Sequence, residues 1–252
     1  MSPLHLLFRA RNFLTIGLVL CLAWPRPAAA AGTVVSGTVK VEGQAPKPPT
    51  VKVTKDAVSC GADYASESIR VDAAGGLANV VVALRPTKPA AVAAGAATTP
   101  AGSAVKATVD QVGCRYLPHV QVVDVGTELT LVNSDRVLHN VHGNLGPVTV
   151  FNVAMPIKGQ RLPTKLSRPG VVRLQCDAGH TWMNAWVYVV DCPYHAVTDA
   201  GGRFEIRDVP AGDYTLELWH EPLDGKGPGV TQSSRLTVAG DKPAHADAKL
   251  KL

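Results

Sequence analysis

Aromatic residues are scarce: Phe, Trp and Tyr together make up 5% of the 252 residues. Sheet faces with so few rings offer little for a sugar to stack on. That weighs against a carbohydrate-binding or adhesive surface module, although the composition alone does not close this alternative. After residue 31 no apolar run approaches the roughly 20 residues that a spanning helix needs, so no transmembrane anchor is expected. Nucleophile-elbow, H-E-x-x-H and P-loop motifs are missing, as is the C-x-x-C-H of haem attachment. The glycine pairs in "GGL" and "GGR" read as turn glycines, and the chain is not expected to be an enzyme. Sustained helical periodicity is missing too, which leaves room for one or two helical turns in loops.

The basic excess is local. Arg9 and Arg11 precede the apolar run Phe13–Trp24, and "PRPAAAA" closes it with small residues. Residues 1–31 therefore read as a secretory signal peptide cut near Ala30 or Ala31. Leu20 before Cys21 is not the small residue that lipid attachment favours, so a lipoprotein is not expected. Three arginines and no acid lie in this segment, so the net charge of +5 falls to +2 in the mature chain. Nucleic acid is not implied as a partner. A periplasmic or secreted location follows, where disulfides persist.

Four cysteines remain: Cys60, Cys114, Cys176 and Cys192. If Cys176 binds a metal, at most one disulfide forms and one thiol stays unpaired. Cys60 and Cys114 are the preferred pair, because both sit at strand edges beside glycine; Cys192 is then the spare.

Alternating or β-branched runs fill the mature chain, among them "TVVSGTVKVEG", "TVKVTKD", "LANVVVALRP", "VQVVDVGTELTLVNSD", "GVVRLQC" and "NAWVYVVD". Gly, Pro, Asp and Asn separate them, the grammar of an all-β sandwich protein. Residues 87–104, rich in Ala, Pro, Gly and Thr, bury little apolar surface and read as a flexible linker. A second boundary falls near residue 193. The middle part, 105–193, forms one domain. Residues 32–86 and 194–252 are expected to form another together, with two β modules in simple tandem as the alternative.

The stretch "LQCDAGHTWMNAWVYVV" sets Cys176, His180 and Met183 at C-x3-H-x2-M between two strands. "LVNSDRVLHNVHG" places His139 in an upstream loop. Two imidazoles, a thiolate and a thioether suit copper in both oxidation states, the thiolate and thioether favouring Cu(I). Zinc accepts two His and a Cys but takes a thioether poorly. Met155 is a lesser axial candidate. His119 is expected at the surface, "WHE" at Trp219–Glu221 between the modules, and Trp182 and Trp186 in packing beside the loop.

From about Val105 to Val190 these motifs resemble a cupredoxin of the plastocyanin and pseudoazurin type. "YLPHVQVVDVGTELTLVNSD" is similar to that family's strand pattern, and "PGVVRLQCDAGHTWM" to its strand and ligand loop. The resemblance implies a Greek-key β-sandwich with His139, Cys176, His180 and Met183 on one type 1-like copper. It implies Asn140 as a residue just behind the ligands, and His142 is expected there or as a polar loop residue. "SGTVKVEG" and "TDAGGRFEIRDVPAGDYTLEL" resemble the carboxypeptidase regulatory-like, prealbumin-like β-sandwich with its carbohydrate-binding-like fold. The whole arrangement is similar to exported bacterial cupredoxin-like proteins. The function so implied is one-electron transfer to an unidentified periplasmic redox partner. A periplasmic copper chaperone or scavenger, or a surface module with an incidental metal site, are the alternatives.

Overall fold

A computed structural model describes residues 32–88, 106–240 and 242–252. The expected signal peptide, 1–31, and most of the expected linker, 87–104, lie outside these residues. Among the described residues, no helix is long and apolar enough to cross a membrane. The described residues are all-β apart from the one-turn helix Ala57–Cys60.

The middle sandwich has two sheets. One runs in the order Val148–Met155, His139–Leu145, Gly170–Gln175, Asn184–Val190, Val120–Asp124. The other runs Arg161–Lys165, Glu128–Asn133, Lys106–Gln111, Tyr116–Leu117. Two hairpins, His139–Leu145 with Val148–Met155 and Gly170–Gln175 with Asn184–Val190, lie side by side in the first sheet, and Val120–Asp124 joins its edge from far upstream in the chain. Alternation decides which side chains point inward. In the His139 strand, His139 and Val141 are buried while Asn140 and His142 face outward. Leu129, Leu131, Val141, Leu174 and Val187 fill the core between the sheets.

The flanking sandwich uses strands from both ends of the chain. Thr33–Val41 pairs with Arg203–Val209, Ala244–His245 and Ala248–Leu250. Facing it, Val81–Pro86 lies between His195–Val197 and Gly212–His220, and Val230–Val238 closes the edge. The middle sandwich is thus inserted between the Val81 and His195 strands.

Residues 50–65 depart from a boundary at 86. Cys60 is buried in the core of the middle sandwich together with Cys176, and Val53 packs on the same core. Only Thr50–Val51 and Tyr64–Ala65 of this segment form strands, and they pair with each other.

The sandwiches meet through Val81, Val120, Trp186 and Trp219, which are buried together. Glu221 lies in this interface, fully buried. It accepts from Trp186 Nε1 at 2.8 Å and bonds His119 Nε2 at 2.5 Å. His119 is therefore buried, not at the surface, because its partner, just past the end of the Gly212–His220 strand, lies 102 residues away in sequence. Burial opposes its charge, but the hydrogen bond and negative charge of Glu221 outweigh that and raise its pKa. Cys192, a free thiol, is buried at the same interface beside Ala83 and Val190.

Candidate metal centre

Three buried donors converge at one end of the middle sandwich. His139 starts its strand, Cys176 follows the Gly170–Gln175 strand, and His180 sits in the loop that Asn184–Val190 ends. His139 and His180 are 0% exposed and Cys176 is 4% exposed. Their donor atoms all lie within 4.8 Å of one another. The two Nδ1 atoms are 3.3 Å apart, and Cys176 Sγ is 3.8 Å from Nδ1 of His180.

The far nitrogen of each ring is committed elsewhere. His139 Nε2 bonds Asp135 Oδ2, and His180 Nε2 bonds Asp56 Oδ2, each at 2.9 Å. A neutral ring that donates from Nε2 carries its lone pair on Nδ1. Burial pushes the His139 imidazole below its ordinary pKa against the pull of Asp135, which favours the neutral form. Two lone pairs and a thiol then face one point without enough protons to join them. A cation at that point removes the conflict. Nitrogen and sulfur ligands at about 2.0–2.1 and 2.3 Å from one ion lie roughly 3–4 Å from each other, and the separations here fall in that range. The donor set fits a soft or borderline metal.

Met183 is buried in the core cluster that holds Cys176. Its N–H donates to the His180 carbonyl at 2.9 Å, a tight turn that closes the loop. Gly179 permits the preceding bend at φ 93°, where a side chain is strained. Met155, opposite His139 in the ladder, accepts from Gln111 Nε2 at 3.1 Å through its own sulfur, so one of that sulfur's two lone pairs is already engaged.

The residues expected behind the ligands separate. Asn140 Oδ1 accepts from the N–H of Asp177 at 3.3 Å, which pins the residue after Cys176. His142 lies on the outer face of its strand, bonded to Asp177 Oδ2 and Thr149 Oγ1. It touches the ligand loop but neither imidazole, because one strand position separates the two faces. Tyr116, buried beside Cys176, donates its hydroxyl to the Asn140 carbonyl. Burial, and then the nearby Cys176 charge, hold that phenol well above its usual pKa. Trp182 donates to the Cys114 carbonyl at 3.1 Å and meets His180 edge-on, with ring centroids 5.3 Å apart. Cys60 and Cys114 are joined in a disulfide.

Sequence reasoning missed Asp135, Asp56 and Tyr116. Asp135 had a readable signal, a carboxylate four residues before His139 in the same loop. Asp56 had none, because 124 residues separate it from His180.

No protein-family profile matches the chain, and no curated protein matches it in sequence. Solved structures match parts of it at low similarity. A purple cupredoxin from Nitrosopumilus maritimus is 24% identical over 33% of this chain and 99% of its own, with a TM-score of 0.29. Amicyanin from Paracoccus versutus is 23% identical over 43% and 97%, at 0.31. A copper-containing nitrite reductase from Thermus scotoductus is 24% identical over 34% of this chain, at 0.31; the match spans 22% of the reductase.

Proposed function

We propose that this chain is an exported cupredoxin-like protein that binds one copper ion and carries single electrons. His139, Cys176, His180 and Met183 form the ligand set. The main support is the facing pair of imidazole Nδ1 atoms, 3.3 Å apart, with the Cys176 sulfur beside them and each far nitrogen held by a carboxylate. Bound copper supplies a Cu(I)/Cu(II) couple.

The chain's own residues do the remaining work. Cys176 supplies the anionic donor. Asp135 and Asp56 accept the Nε2 protons and fix both rings with Nδ1 inward, as outer carboxylates do around metal-binding imidazoles. Asn140 holds the start of the loop, and the His180–Met183 turn holds its end. A cage fixed at so many points keeps its shape when charge changes. Met183, buried beside Cys176 at the end of the loop, would supply the thioether. No residue is assigned a catalytic role.

Burial of the donors favours a carrier over a copper chaperone or scavenger. A protein that hands its ion on must admit the recipient's ligand, and these donors are covered. The electron acceptor or donor is a periplasmic partner protein, with export directed by residues 1–31.

Voltammetry of the purified, copper-loaded mature chain separates these roles. A reversible couple with fast exchange and one copper per chain is expected. A slow or irreversible response, with copper lost readily to a chelator, would favour copper handling instead.

A further inference from the structure

The two carboxylates behind the imidazoles come from distant parts of the chain, yet one covalent bond ties them together. Asp135 accepts the N–H groups of Gly113 and Cys114, each at 2.8 Å. Cys114 is bonded to Cys60. Cys60 ends the one-turn helix that Asp56 begins, and the N–H groups of Ser59 and Cys60 donate to the Asp56 carbonyl. The Asp56 side chain does not cap this helix; it reaches out to His180 Nε2. The crosslink therefore fixes the turn that grips Asp135 and the turn that presents Asp56.

Residues 52–60 also cover the ligand loop. Lys55 Nζ donates to the Ala178 carbonyl at 2.6 Å. Its side chain lies so close over Gly179 that an added Cβ there would stand 3.1 Å from Nζ. The sulfurs of Cys60 and Cys114 lie within 4.8 Å of a His180 ring nitrogen. Besides the packing of Val53 on the core, this segment is held at its base by the short Thr50–Val51 and Tyr64–Ala65 ladder, by Asp63, which pairs with Lys52 and accepts the Val53 N–H at 2.9 Å, and by Arg115 stacked on Tyr64 at 3.6 Å. Such local contacts hold a loop weakly against opening, so the disulfide is the main fastening.

We infer that residues 52–60 are a disulfide-fastened cap that completes the centre from outside the middle sandwich, with Asp56 the positioning residue for His180. The cap rests on the metal reading of His139, Cys176 and His180 for its purpose. Accepting from Nε2–H, Asp56 holds the His180 ring in the tautomer that turns Nδ1 toward Cys176 and His139. The same segment shuts the outer edge of that ring away from water.

The test compares the mature protein, before metal loading, with Cys60→Ala/Cys114→Ala. Each is treated with iodoacetamide, and alkylation of each free thiol is followed by peptide mass spectrometry. Cys192, buried at the other interface, is the internal reference. Loss of the crosslink is expected to speed alkylation of Cys176 by about tenfold or more relative to Cys192, the signature of local opening over and above any shared rise from lower global stability. Equal Cys176 rates, or a parallel rise at both thiols, would overturn the cap.

Asp56→Asn keeps the crosslink. In nitrogen-15 spectra of the metal-free protein it should move the His180 ring signals away from the Nε2–H tautomer. Asp56→Glu should restore them, which a merely structural role would not do; unchanged signals in Asp56→Asn would remove Asp56 from its role. With copper, Asp56→Asn should bind about 10–100-fold more weakly. Copper bound equally by the wild type and both variants defeats the cap and spares the metal reading. A wild type that takes up no copper, with the alkylation contrast intact, defeats the metal reading and leaves the cap over His180.

Discussion

At the interface of the two sandwiches, neighbouring groups pull two imidazoles in opposite directions. The raised pKa of His119 lies above its unfolded value of about 6.5. Its pairing with Glu221 therefore contributes stability that is complete below about pH 6.5 and is lost as pH rises through the folded value. His220 is pushed down by burial, and its Nε2 has no partner among the described residues. Its contribution is present above about pH 6.5 and is lost as pH falls. Glu221→Gln should abolish the alkaline-side loss and cost about 3 kcal/mol at neutral pH, as for a broken buried pair. Urea midpoints measured across pH, with the m-value unchanged, check both. A variant whose pH profile matches the wild type would refute the pairing. Residues are also where the sequence was most and least legible. His139, Cys176, His180 and Met183 stand out because soft donors at loop spacing are rare. Asp56 and the burial of His119 do not, because each depends on a partner more than a hundred residues away.

Strands and turns follow local rules more closely. Alternation marks the long strands, and Gly-rich punctuation marks hairpins such as the one before Arg203. The run "TVKVTKD" misleads: it alternates like a strand, but only Thr50–Val51 pairs and a helical turn begins at Ala57. Two residues of ladder and one turn of helix are too short to leave a period. Turns also differ in what they tolerate. Gly202 has φ 73°, and a Cβ there would stand 2.4 Å from the Val39 carbonyl oxygen. Gly43 has φ 83° with nothing within 4 Å. Gly43→Ala should cost only the left-handed strain, about 1 kcal/mol. Gly202→Ala adds the clash and should cost clearly more. Thermal midpoints of the two variants give the comparison, and equal losses would argue against the close packing of that hairpin on the first strand.

Across the whole molecule, connectivity and burial make the two sandwiches interdependent. The flanking sandwich is built from both ends of the chain, and Trp186, Trp219 and Glu221 seal its contact with the middle one. Unfolding should be a single cooperative transition seen alike by tryptophan fluorescence and far-ultraviolet dichroism; two separated transitions would contradict the sealed interface. The Cys60–Cys114 bond spans 54 residues, and removing both cysteines should lower stability by about 4 kcal/mol on the chain-entropy scale. The packing of residues 52–60 on the middle sandwich was not legible in the sequence, because a segment held by a crosslink needs no hydrophobic pattern of its own.

The central claim is that Cys176 binds copper with two imidazoles. The most direct measurement is the absorption spectrum of the mature protein loaded with Cu(II). An intense visible thiolate-to-copper band that disappears in Cys176→Ser is the predicted result. A colourless Cu(II) complex, or a spectrum unchanged by Cys176→Ser, would contradict it.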